Sequence, residues 1–64
     1  MTNGEKRINA IITNYAKGKY DLAYLRYILK RGLQHVDCYG VKGVDGQFIL
    51  NLAYIETAIA RIRR

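Results

Sequence analysis

The stretch Val41-Lys42-Gly43-Val44-Asp45-Gly46-Gln47-Phe48-Ile49-Leu50 constrains the fold most, because an Asp-Gly pair between alternating residues is the strongest short-range sign of a tight β-hairpin. With Asp45 and Gly46 at the centre of a type I′ turn, Val44 faces Gln47, Gly43 faces Phe48, Lys42 faces Ile49 and Val41 faces Leu50. Side chains alternate between the faces of a strand pair, so Tyr39, Val41, Phe48 and Leu50 then share an apolar face, and Lys42 stands near the tip on the other. The pattern predicts a β-ribbon in an otherwise helical chain.

Ahead of it, Thr2-Asn3-Gly4-Glu5 fits a capping box, and Ile8, Ile11, Ile12 and Tyr15 fall at i, i+3, i+4 and i+7 on one helical stripe. A first helix is expected from about Asn3 to Ala16, stopped at Lys17-Gly18. Asp21 can cap a second helix over Leu22 to Arg31 that carries Leu22, Leu25, Ile28 and Leu29 inward and stops at Gly32. Residues 33–37 read as a loop leading into a strand from about Cys38. After the hairpin, Asn51 can cap a third helix in which Leu52, Ile55, Ile59 and Ile62 keep a helical period. The expected class is α+β, ordered helix, helix, β-hairpin, helix, a winged-helix-like layout by fold-level analogy. The alternative is an all-α three-helix bundle, with Gly40, Gly43 and Gly46 in a loop.

Residues 1–64 allow one small domain, and a chain of this length buries only about 60% of the surface it exposes when unfolded. A partner or a second copy would add buried area, so a homodimer is expected. Lys and Arg number 11 against 5 Asp and Glu, a net charge of +6, which suits a polyanionic partner through long-range, salt-screened attraction. The single cysteine, Cys38, rules out an intramolecular disulfide. No apolar run approaches the ~20 residues that span a bilayer, and the start is polar, so a complete cytoplasmic protein with no membrane contact is expected. Its brevity and composition suggest the product of a phage or mobile element.

The outer side of the second helix presents Ala23, Arg26, Tyr27, Lys30 and Arg31, with Arg26 and Lys30 one above the other. Cations there can reach phosphates or guanine edges, and Lys17, Lys19 and Lys42 would extend the contact to the flanking backbone. Ordinary solvation accounts for the same charges equally well. Of the six tyrosines, Tyr15 and Tyr39 fit the core, while Tyr20, Tyr24, Tyr27 and Tyr54 suit an exposed patch where a protein docks or bases stack. They could also simply finish the rim of a small core.

His35, Asp37 and Cys38 do not match a structural zinc spacing, and the His and Cys lack an oxyanion hole or an orienting group. Cys38 reads as a small buried apolar residue. The acids are accounted for as caps, a turn or surface charge, so neither an enzyme nor a metal or cofactor is expected. These features favour a small DNA-binding protein acting in transcription control, recombination or replication. Duplex DNA would meet Lys17, Lys19, Arg31 and Lys42 at its phosphates and Arg26, Tyr27 and Lys30 nearer its bases. The alternative is an interaction module that docks Tyr20, Tyr24 and Tyr54 on a host protein and modulates it. RNA binding is a third possibility.

Overall fold

The computed structural model describes residues 2–63. Helix α1 spans Asn3–Ala16. Thr2 is extended, and its hydroxyl accepts the Glu5 amide at 3.2 Å, which satisfies one of the amides left without a partner at a helix start. Of the predicted stripe, Ile8 is buried and Ile11, Ile12 and Tyr15 are half-buried. The helix closes in a Schellman turn: the Gly18 amide donates to the Tyr15 carbonyl at 3.0 Å and the Lys19 amide to that of Asn14 at 2.9 Å. Gly18 takes a φ of 82° there, a conformation that L side chains rarely adopt.

Helix α2 spans Leu22–Tyr39, and the Asp21 carboxylate accepts the Tyr24 amide at 2.7 Å. It continues about two turns past the predicted stop. Gly32 is a buried interior residue of this helix, and the glycine that ends it is Gly40, at a φ of 75° with its amide on the Val36 carbonyl at 2.7 Å. Residues 33–37, expected as a loop, are therefore helical.

The hairpin is absent, and among the described residues there is no strand. Val41–Gly43 forms a single 3-10 turn and Val44 is extended. Asp45 then caps helix α3, Gly46–Ile62, by accepting the Gln47 amide at 3.0 Å. An Asp-Gly pair suits a turn, but Asp is also a preferred N-cap. The helix wins because a lone two-stranded ribbon is marginal in water, whereas seventeen helical residues bury Leu52, Ala58 and Ile59. Phe48 belongs to the same helical period as Leu52, Ile55, Ile59 and Ile62. Asn51, expected as the cap, is one turn inside, where its side-chain oxygen accepts from the Gln47 side-chain Nε2 at 3.1 Å.

The architecture of the described residues is thus all-α, three helices and one 3-10 turn, and the α+β, winged-helix-like layout is overturned. Helix α3 is the centre: α1 and α2 both pack on it, with no comparable packing on each other. The contacts of Gly32 with Leu52 and of His35 with Phe48 show that α2 runs antiparallel to α3. Helix α1 is tied to α3 where the Arg61 guanidinium donates to both Glu5 carboxylate oxygens at 3.2 Å, and where Tyr54 lies against Gly4. Among the described residues the buried apolar set is small, comprising Ile8, Leu25, Leu52, Ala58 and Ile59. Tyr39 and Cys38, expected inside, are exposed, because the longer α2 carries both out to its C-terminal end.

Candidate functional site

Two surfaces collect the residues that the sequence marks as functional. The first is the outer face of α2. At 100° per residue, Leu25, Gly32 and Val36 point to the core, and Ala23, Arg26, Tyr27, Lys30, Arg31, Gln34 and the one acid Asp37 lie on the far side. Arg26, Tyr27, Lys30 and Arg31 are all exposed. The one salt bridge among the described residues joins Glu5 and Arg61, so none of the α2 cations is neutralised by a carboxylate. Lys17 and Lys19 stand exposed in the turn before α2. Lys42 stands exposed on the 3-10 turn after it rather than at a hairpin tip. Since α2 is about 27 Å long at 1.5 Å per residue, these lysines extend the row of positive charge past both of its ends.

The second surface is an open trough over α3. Ile55 sits near the middle of the inward arc of α3, between Leu52 and Ile59 on one side and Ala58 on the other, yet it is only half-buried. Helices α1 and α2 flank it without closing over it. Three adjoining grooves make the trough continuous: the first two share Ile28, Asn51 and Ile55, and the second and third share Arg7, Ala10 and Tyr54. The accessible surface shows the same openness. It is 4832 Å² for a 7.4 kDa chain, against about 4,200 Å² expected of a closed monomer of that mass.

Tyr20, Tyr24 and Tyr54, which the sequence picks out as a docking patch, all line the middle of this trough. Tyr20 and Tyr24 stack, with ring centroids 5.5 Å apart and planes 25° apart. One end is built from rings that the sequence reading assigns elsewhere. His35 lies 4.6 Å from the Tyr39 ring and 5.3 Å from that of Phe48, and Tyr27 lines the same groove. Arg7 is not marked by the sequence at all, and Ile28 is marked only as an inward residue of α2. Nothing local assigns either one to the trough, because their role arises only once α1 and α2 lie on α3. The Phe48, Leu52, Ile55 spacing is the one signal that could have exposed the floor of the trough.

His35 and Asp37 diverge by about 160° around α2, so their closeness in sequence makes no joint site. Among the described residues, no three His, Cys, Asp or Glu side chains lie where they could hold a metal ion together. No described helix is long and apolar enough to cross a membrane. The Arg61 guanidinium, by hydrogen bond and then by charge, holds the Glu5 carboxyl below its ordinary range, and Glu5 raises Arg61 in return. No family model, no curated protein and no solved structure matches this chain.

Proposed function

We propose that this protein binds nucleic acid, duplex DNA foremost, through the outer face of α2, and acts in transcription control or as an accessory in recombination or replication. The observation that carries the reading is the exposure of Arg26, Tyr27, Lys30 and Arg31 on one uninterrupted helix, where four cations or rings outnumber the single acid Asp37 and no ion pair joins any of them among the described residues. Arg26 and Arg31 lie about 140° apart around the helix axis, so they address opposite walls of a groove while Lys30 and Tyr27 lie between them. Lys17, Lys19 and Lys42 contact flanking phosphates. Without a hairpin, the contact rests on the helix and its two ends. Titration of a random-sequence duplex at several salt concentrations tests it. Phosphate contacts release counterions, so the logarithm of the affinity falls steeply with that of salt, and a flat dependence or no binding at low salt removes the reading.

A second reading has its own observation. The convergence of Tyr20, Tyr24 and Tyr54 on one trough with a half-buried apolar floor supports a protein-interaction module that engages a host protein. Tyr24→Ala with Tyr54→Ala separates the two, since it removes a protein contact and leaves affinity for duplex DNA nearly intact.

A further inference from the structure

We propose that the trough over α3 is a docking groove for an acidic, amphipathic helix of another protein. The inference rests on the interaction reading above and names the chemistry of the partner. Its floor is apolar, set by Ile28 and Ile55, and its walls carry aromatic rings, which suits the apolar stripe of a helix laid into a groove. The chain exposes roughly 600 Å² more than a closed monomer of its mass, as expected of a fold that leaves apolar surface uncovered. From Tyr24 to Tyr39 the α2 wall is about 22 Å long, which matches a guest helix of about four turns.

Charge selects the guest. Lys6 and Arg7 line the trough from α1 and Arg31 lines it from α2, and no carboxylate among the described residues lines any part of it. An acidic polar face on the guest meets these cations on both sides of its apolar stripe, which fixes its orientation and speeds encounter. A second copy of this chain does not offer that face. Of its five acidic side chains, Glu5 is held by Arg61, and Asp21 and Asp45 cap helices. Asp37 lines the opposite side of α2 with Arg26 and Lys30, which leaves Glu56 alone on a chain of net charge +6.

The test is selection of a displayed random library of 16-residue peptides on the full-length protein at physiological salt, followed by titration of a labelled winner against variants. Enriched peptides are expected to carry apolar residues at i, i+3 or i+4, and i+7 with several Asp or Glu between them. Arg7→Glu with Arg31→Glu, both exposed and so tolerated by the fold, is expected to weaken binding at least tenfold. Ile55→Glu should do the same where circular dichroism shows it folded, and Arg63→Ala, a cation outside the trough, should stay within twofold. Enriched peptides that are apolar but not acidic overturn the acidic partner while leaving trough docking intact. Acidic peptides that bind equally well to the Arg7→Glu, Arg31→Glu protein overturn the site itself. A failed selection overturns the proposal, and it overturns the interaction reading too where sedimentation shows a dimer that Ile55→Glu abolishes. Loss of oligonucleotide binding on Tyr20→Ala with Tyr24→Ala would assign the trough to nucleic acid instead.

Discussion

Gly32 of α2 lies so close to Leu52 of α3 that a Cβ at position 32 would clash with the Leu52 Cδ2 and stand 3.2 Å from its Cγ. Both residues are buried, so this contact sets how near the two helices approach. Glycine normally weakens a helix interior by about 1 kcal/mol relative to alanine, and here it is retained where the backbone has to come close.

Gly32→Ala is therefore expected to destabilise the protein by about 1 kcal/mol net, as overpacking of roughly 1–3 kcal/mol outweighs the gain in helix propensity. In a Leu52→Ala background the same substitution should stabilise, because the space is then free. Urea unfolding of the four proteins in this cycle measures the change of sign. An unchanged cost in both backgrounds would remove the close contact as the cause.

Asp45 and Gly46 distinguish the helix start from a β-turn. Asp45→Ala should cost about 1 kcal/mol through loss of the cap on the Gln47 amide. Gly46→Ala should be neutral or slightly stabilising, since Gly46 does not occupy a positive φ and nothing lies within 4 Å of its added Cβ. A type I′ turn demands the reverse, with strain of about 1–3 kcal/mol at position 46. Thermal unfolding of the two variants decides between them.

The Glu5 and Arg61 pair gives a signed pH dependence. The Glu5 carboxyl is held below its ordinary value of 4.5 by the Arg61 guanidinium, so it binds its proton less readily in the folded than in the unfolded chain. Its contribution is thus present above pH 4.5 and is lost as the pH falls through the depressed folded value. Glu5→Gln should lower the thermal midpoint slightly at neutral pH, and the two curves should converge in acid. Added salt should narrow the gap at neutral pH, as expected of an exposed pair. Parallel melting curves at pH 7 and pH 3 that keep the same separation would count against the pair.

On the outer face of α2, Arg26→Ala with Lys30→Ala should leave the melting temperature nearly unchanged, because neither side chain is buried or paired. Affinity for duplex DNA should fall. The salt slope should shrink by up to about two units where both side chains reach phosphates, while loss of preference for one site would indicate base contact. A double variant with wild-type affinity and slope would move the nucleic-acid face away from α2.

Local chemistry alone determined both ends of α1 and the start of α2. Thr2 and Asp21 cap with side chains three residues from the amides they accept, and Gly18 supplies the positive φ of a Schellman turn, so each boundary is written in neighbouring residues. The exposed cations of α2 were equally legible, since charged side chains on the far side of an amphipathic helix stay in water. Tertiary structure decided the rest. Gly32 reads locally as a stop, and only Leu52, twenty positions away, shows why a glycine stands within a continuing helix. Asp45-Gly46 is locally compatible with a turn and with a helix start, and the choice follows from the apolar area that Phe48 through Ile62 can cover on α2. The trough lies furthest from the sequence. Arg7, Ile28, Tyr54 and Ile55 come from three helices, and no local pattern records that α1 and α2 flank α3 without closing over it. Caps and periods act within a turn or two of chain, whereas an open groove is a property of how whole helices share one apolar surface.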